Sequence, residues 1–279
     1  MSRHLQNDPL CKDFIDQAKK TWERIRYSEL TRIAINEEAI TSLNLLDLQR
    51  KHPFRIRTRT FTRHQEAING TDWEWWLGSG MNWLGLRVQA KKLKPNVRKY
   101  RDIDKTHPVH GRQVDNLINH ALNSNPPRVP IYVFYNYWDV NLYNPPWLCE
   151  SYPIDIPMLG CGISHASFVR NVMNQNSEYL ADFAQNMYPW SCLVCCTGYS
   201  KNRDPLPHRS RDFIRGALEK SVDTRDDYQN DLRFVTDDVP FYVGKVLSGE
   251  RFTRSEMKEI PVKRVTIVYE GKSHYYDNK

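Results

Sequence analysis

The sequence predicts an α/β protein with a mixed central sheet flanked by helices. Two amphipathic helical stretches open the chain, three strand-like segments follow across turn signals, and a strand–helix–strand unit closes the set. From Leu10 to Ile25, apolar residues recur every fourth position at Leu10, Phe14, Ala18 and Trp22, the stripe of a helix packed on a core. A second helix is expected around Asn36 to Gln49. Asn36 is its N-cap, Glu37 and Glu38 lie in the first turn where the helix dipole favours acids, and Ile40, Leu43 and Leu46 turn inward.

Phe54 to Thr62 alternates, with Arg55, Arg57 and Arg59 on one exposed face and Ile56 and Thr58 on the other, the two-residue period of a strand. Asn69-Gly70 is a hairpin-type turn signal, and Asp72 to Leu77 follows as an aromatic strand. Gly78-Ser79-Gly80 turns the chain into a third strand, Trp83 to Lys91, and the three are expected to pair as a meander. His110 to Leu122 then has helical spacing, and Pro130 to Asn136 reads as a buried strand, so a crossover should lay it beside the third. After Trp138 the pattern loosens. Loops are marked by Asn144-Pro145-Pro146 and Tyr152-Pro153, helices are expected near Ser164 to Asn174 and Ser210 to Lys220, and Arg264 to Tyr269 is a closing strand.

Hydrophobic residues at 40% and charged residues at 26% exclude disordered, collagenous and coiled-coil classes. No apolar run approaches the roughly 18–20 residues that cross a bilayer, so a soluble cytoplasmic protein with no membrane role is expected. Its six cysteines read as free thiols. A net charge of +7 favours a polyanionic partner, because basic side chains gain affinity by displacing counterions from phosphates. Arg50 to Arg63 holds six basic residues and no acid, and Arg87 to Lys105 holds eight against Asp102 and Asp104.

Phosphodiester hydrolysis needs a hard cation on oxygen ligands, an activated water and a positive group near the phosphate. Asp72 begins one strand. Gln89 and Lys91, one residue apart, project from a single face of the next, so the register can bring Asp72 and Gln89 to one ion.

Gly70-Thr71-Asp72 with Gln89-Ala90-Lys91 resembles the PD-(D/E)XK nuclease superfamily in its Q-x-K, Mrr-like form, and the element order over roughly residues 30 to 138 resembles it too. The tryptophan-rich strand, the Gln-Ala-Lys strand and the Tyr-Val-Phe-Tyr-Asn strand look like an uncharacterised bacterial branch. The resemblance implies a restriction-endonuclease-like core with N-terminal helices over residues 1–140 and a C-terminal α+β extension over 141–279, packed on that core. It implies Mg²⁺ or Mn²⁺ held by Asp72, Gln89 and the helix acid Glu38, with the Ala90 carbonyl as a further ligand and Glu74 in reserve. Lys91 then orients water or stabilises developing charge. The implied partner is nucleic acid, DNA before RNA, contacted by Lys92 and by Gln113, which either holds phosphate or orients Lys91. Tyr100, Lys94, Arg98 and Lys99 could track the backbone. A homodimer or a targeting subunit and a role in restriction or phage defence complete the expectation. The alternatives are a catalytically inactive nuclease-fold module that binds nucleic acid or protein, and a pocket protein lined by tryptophans.

Other features have plainer readings. Alternation puts Trp73 and Trp75 opposite the Asp72 face, where core packing competes with base stacking and is the better account. Cys192 and Cys195 form a C-x₂-C that Cys161 and His165 could complete as a zinc site, but buried thiols are the preferred reading. Gly160-Cys161-Gly162 reads as a turn, and Glu66 as a turn or ion-pair residue.

Overall fold

A computed structural model describes residues 8–61, 71–196, 198–200, 204–218 and 234–271. Asn69, Gly70 and Glu66 lie outside the described residues.

Helix α1 spans Pro9–Thr31: the Asp8 carboxylate caps it by accepting from the Leu10 amide at 2.9 Å, and Pro9 sets the first turn. Leu10, Phe14, Ala18 and Trp22 are all buried, as their spacing predicts. Helix α2 spans Glu37–Lys51, and its N-cap Asn36 accepts from the Ala39 amide at 2.8 Å. The inward face differs from the expected one. Ile40, Thr41, Asn44, Leu45 and Leu48 are buried, while Leu43 and Leu46 are exposed. The cause is polar: Asn44 Oδ1 accepts from Gln17 Nε2 at 2.8 Å and from the Thr21 hydroxyl at 3.0 Å, both on α1, so the helix is rotated to satisfy a buried amide.

The main sheet uses β1 (Ile56–Thr60), β2 (Trp73–Ser79), β3 (Asn82–Lys92), β6 (Val129–Tyr135), β7 (Cys161–His165), β8 (Tyr188–Pro189), β9 (Val235–Thr236) and β10 (Arg264–Glu270). A small hairpin, β4 (Thr106–His107) with β5 (Gly111–Arg112), precedes helix α3 (Gln113–Leu122). The strand order is β1-β10-β2-β3-β6-β7-β8, with β9 against β3. The architecture is thus α/β, with a mixed sheet between helices.

The expected three-strand meander is not formed. The closing strand β10 inserts between β1 and β2, antiparallel to the first and parallel to the second, so segments from both sides of residue 140 build one sheet. The β2–β3 hairpin and the parallel β3–β6 pair joined through α3 are as predicted. Cys161 and Gly162, read as part of a turn, and Ser164, read as the start of a helix, lie instead in strand β7. Gly160 before it passes so close to α1 that a Cβ there would lie 2.1 Å from the Ala18 carbonyl.

One sheet face packs Trp73, Trp75, Val88 and Ile131 against α1 and α2. The other packs Tyr132 and Phe134 against α3 and helix α4 (Ala166–Asn174). Trp73 and Trp75 meet edge to face at 5.7 Å within the core, which supports the packing reading. Glu74 is fully buried and serves no reserve-ligand role: Oε1 faces Arg87 Nε at 3.0 Å and Arg128 Nε at 2.9 Å, while Oε2 accepts from Trp76 and Tyr242. Cys11 and Cys195 form a disulfide, which corrects the reading of all cysteines as free.

Glu74→Ala would strand two buried guanidinium groups. We expect a loss of about 3–5 kcal/mol in urea unfolding, the range for breaking a buried ion pair. A loss below about 1 kcal/mol would show that the arginines are satisfied elsewhere.

Candidate active site

The β2–β3 ladder ends with Trp73 opposite Val88, and Asp72 extends it by donating its backbone N–H to the Val88 carbonyl at 2.9 Å. Its side chain then closes over the edge of β3. Asp72 Oδ2 accepts from the Ala90 amide at 2.7 Å and from Gln89 Nε2 at 2.6 Å. The register expected from the two-residue period thus brings Asp72 and Gln89 together.

Gln89 stands opposite Tyr132 and Lys91 opposite Phe134 on β6, so both side chains leave the same face of β3. Lys91 is only 7% exposed. Its Nζ donates to Gln113 Oε1 at 2.9 Å and to the Asp102 carbonyl at 2.9 Å. Asp102 adopts a left-handed backbone at φ 55°, a conformation aspartate tolerates better than most residues, and this turns its carbonyl to the lysine. Burial pushes the Lys91 ammonium below the ordinary lysine range, while the carboxylates of Glu37 and Asp72 pull it back up. Of the two roles expected for Gln113, orienting Lys91 is the one its geometry fits.

The N-terminus of α2 overhangs this edge. Asn36, Glu37, Glu38 and Thr41 line a cleft of about 280 Å³ together with Asp72, Lys263 and Arg264. Glu38, the expected helix acid, is on this cleft but ion-pairs with Lys263 at 2.6 Å. Of the two α2 acids, Glu37 is the one whose charge acts on Lys91, beside Asp72 and Asp102, and sequence reasoning passed over it as a site residue. The signal was its spacing: Glu37 lies one turn before Thr41, whose hydroxyl meets the Tyr135 hydroxyl at 2.8 Å, so it belongs to the sheet-facing side of the helix. Lys263 and Arg264 were also missed, because only the insertion of β10 brings them here.

Lys92 lines an adjoining cleft of about 550 Å³ with Asn36, Glu37, Lys94, Arg101 and Asp102. The other expected backbone-tracking residues are committed elsewhere. Tyr100 is buried and donates to Asn136 Oδ1 at 2.6 Å, Lys99 pairs with Glu178 at 3.8 Å, and Arg98 donates to the Leu142 carbonyl at 3.0 Å. Arg55 is bound to Asp8 and Arg57 is half-buried, so of the three arginines expected on one exposed face only Arg59 is exposed.

Among the described residues, no group of three or more Asp, Glu, His or Cys side chains is arranged to hold a metal ion. The zinc set of Cys161, His165, Cys192 and Cys195 therefore does not assemble: Cys195 is bonded to Cys11, and Cys161 accepts from Asn44 at 3.5 Å. The Asp72 edge offers a different donor set, two acids supplemented by an amide and a backbone carbonyl. The Gln89 amide turns its nitrogen to the carboxylate and leaves Oε1 buried with no hydrogen-bond partner among the described residues. Nε2 also faces the Ala90 carbonyl at 3.2 Å, so a rotation of the amide that exchanged nitrogen for oxygen would turn oxygens of Asp72, Gln89 and Ala90 toward one hard cation.

The DUF6615 family profile, described as a family of unknown function, matches residues 10–274. The chain belongs to DUF6615. No curated protein matches it. The DUF6615 match takes in both halves of the chain and includes β10 with the Asp72 edge.

Gln113→Leu removes one of two acceptors that favour the charged lysine, so the Lys91 pKa should fall further. Titration of Lys91 by NMR would show it, and an unchanged midpoint would mean that Gln113 does not set the charge of Lys91.

Proposed function

We propose that this protein is a metal-dependent nuclease of the PD-(D/E)XK type, hydrolysing phosphodiester bonds of DNA, with Asp72, Gln89 and Lys91 at its centre. The reading rests on one observation above the rest: Asp72 binds Gln89 at the edge of β2 and β3 and lines the cleft under the acids of α2, while Lys91 leaves the same face of β3, held by Gln113 and within reach of the Asp72 charge. Asp72, Gln89 through Oε1, the Ala90 carbonyl and Glu37 or Glu38 would hold Mg²⁺ or Mn²⁺. Such an ion supplies Lewis-acid polarisation of a phosphoryl oxygen and a more acidic bound water.

The remaining work falls to the chain. Lys91 places a fixed ammonium where negative charge develops on the attacked phosphate, and its burial strengthens that interaction. Gln113 and the Asp102 carbonyl hold it there. Lys92, Lys94 and Arg101 give the neighbouring cleft cations for flanking phosphates, contacts that position a strand without reading its sequence.

A second reading has its own support. Gln89 carries no charge where the commoner form has glutamate, and no three-acid group stands at the edge among the described residues, which favours an inactive nuclease-fold module that binds nucleic acid or a protein. Incubating the protein with linear, circular and single-stranded DNA and with RNA, in Mg²⁺ or Mn²⁺, separates the two. The nuclease reading expects metal-dependent cleavage that falls on the order of 10²-fold or more in Lys91→Ala and Asp72→Ala with the fold retained by circular dichroism. It also expects Glu37→Gln to lose more than Glu38→Gln. Cleavage of nothing, with binding that weakens as salt rises, would leave the inactive module. Restriction or phage defence is the setting we favour, and unchanged phage plating on expressing cells would count against it.

The lowered pKa of Lys91 has a directional consequence. If the ammonium is the active form, the cleavage rate should fall as pH rises through a midpoint below the ordinary lysine range. In Lys91→Arg, whose guanidinium stays charged, that alkaline limb should vanish from whatever activity remains. A rate that keeps climbing with pH in the wild type would exclude a charged-lysine role.

A further inference from the structure

Five of the six cysteines gather in one region. Cys11 on α1 is bonded to Cys195 on the short helix Cys192–Cys195. One turn earlier on that helix, Cys192 Sγ lies 3.3 Å from Cys149 Sγ, across a sequence separation of 43. Cys196 Sγ is 3.0 Å from the Ser151 hydroxyl. The segment carrying Cys149 is closed on itself, because Trp147 Nε1 donates to the Tyr152 carbonyl at 2.9 Å, and this holds Cys149 and Ser151 against the short helix. None of these sulfurs touches the Asp72 edge in any interaction described above, and the nuclease reading gives them no role.

We propose that Cys149 and Cys192 are an oxidisable dithiol, closing a second disulfide that ties the segment after β6 to the Cys192–Cys195 helix. Two thiols already in contact need only about 1 Å of approach to reach the disulfide length of about 2.05 Å. The chain between them is long, so the closed form constrains the unfolded state strongly. Cys149 is the attacking sulfur. It is less buried than Cys192, and the hydrogen bond from Cys192 draws its thiol below the ordinary cysteine range, while burial pushes Cys192 well above it. The same neighbour holds Cys196 down to about 6.

The oxidant is hydrogen peroxide. The Cys149 thiolate attacks one peroxide oxygen, the O–O bond breaks, and the departing oxygen leaves as water with the added proton, giving a sulfenic acid. Cys192 sulfur then attacks that sulfur, the S–S bond forms, and the hydroxyl leaves as a second water carrying the Cys192 proton. Two thiols and one peroxide become one disulfide and two waters. Because Cys195 follows Cys192 by one helical turn, the oxidised protein would hold α1 and the segment after β6 to the same short helix.

The test treats the full chain with stoichiometric hydrogen peroxide, blocks remaining thiols with N-ethylmaleimide and maps non-reduced peptides by mass spectrometry. A peptide pair joining Cys149 to Cys192, lighter by two hydrogens than the separate thiol peptides, is expected. The pair should be lost in Cys149→Ser with Cys11–Cys195 retained. The oxidised wild type should also melt several degrees above the protein before peroxide treatment. Recovery of both cysteines as maleimide adducts, of Cys149 as a sulfinic acid with no linked peptide, or of Cys192 joined to Cys196 instead, would each overturn the proposal. Should Cys149→Ser not fold, the wild-type peptide map decides alone, and neither result depends on cleavage activity.

Discussion

The Asp72 carboxylate accepting from the Ala90 amide fixes the geometry of the candidate site. Backbone pairing alone would leave that amide at the open edge of β3, since the antiparallel ladder has already ended at Trp73 and Val88. By taking it, the aspartate continues the sheet with a side chain and becomes as fixed as a strand residue. The same oxygen accepts from Gln89, so the two candidate ligands position each other. The parallel neighbour β6 supplies the remaining order, because its register sets Tyr132 beside Gln89 and Phe134 beside Lys91 on the same sheet face.

A buried lysine is costly unless its protons are satisfied, and the surroundings of Lys91 are arranged to that end. One acceptor is the first residue of α3, a side chain that helix packing places with little freedom. The other is a carbonyl turned inward by a left-handed aspartate, a conformation kept only where neighbours impose it. Glu37 adds negative charge from the opposite side, at the start of a helix whose dipole itself favours an acid there. The dipole reading and the site reading of the α2 acids therefore do not compete. Glu37 fits both, whereas Glu38 spends its charge on Lys263.

What could be read from the chain was what depends on local periodicity. The shared face of Gln89 and Lys91 and the approach of Asp72 to Gln89 were legible because a two-residue period fixes faces, whereas the choice of these three as a site rested on the resemblance; the β3–α3–β6 unit was legible because a parallel pair needs a crossover. Pairings that span the chain were not legible. Nothing near Arg264 signals that β10 will separate β1 from β2, and with it Lys263 and Arg264 came to the cleft unannounced. The face of α2 failed for another reason. Hydrophobicity pointed to Leu43 and Leu46, but a buried asparagine with three partners on α1, Gln17, Thr21 and Arg24, outweighed two exposed leucines, since leaving a buried amide unsatisfied costs more than burying a leucine gains. Glu74 was misassigned by the converse error. Its parity is that of Asp72, as expected, yet two residues along the strand the sheet face is closed by Arg87, Arg128 and Tyr242.

On the nuclease reading, Gln89 in place of an acid is the feature on which the chemistry would turn. An amide donates as well as accepts, so it can bond the Asp72 carboxylate directly and keep the edge in order with no cation between them. A glutamate in the same place would set two carboxylates against each other and would need a cation or a proton to be stable. The amide thus lowers the cost of the metal-free state, and the same property lowers the affinity for metal, because the Gln89–Asp72 bond must be given up when an ion enters. An enzyme built this way would take its metal together with a phosphate oxygen that adds the missing negative charge, which couples metal binding to the presence of substrate. Lys91 fits that arrangement. With Glu37, Asp72 and Asp102 near it but a carbonyl and an amide, not a carboxylate, as its hydrogen-bond partners, its ammonium is left with charge to offer an incoming phosphate.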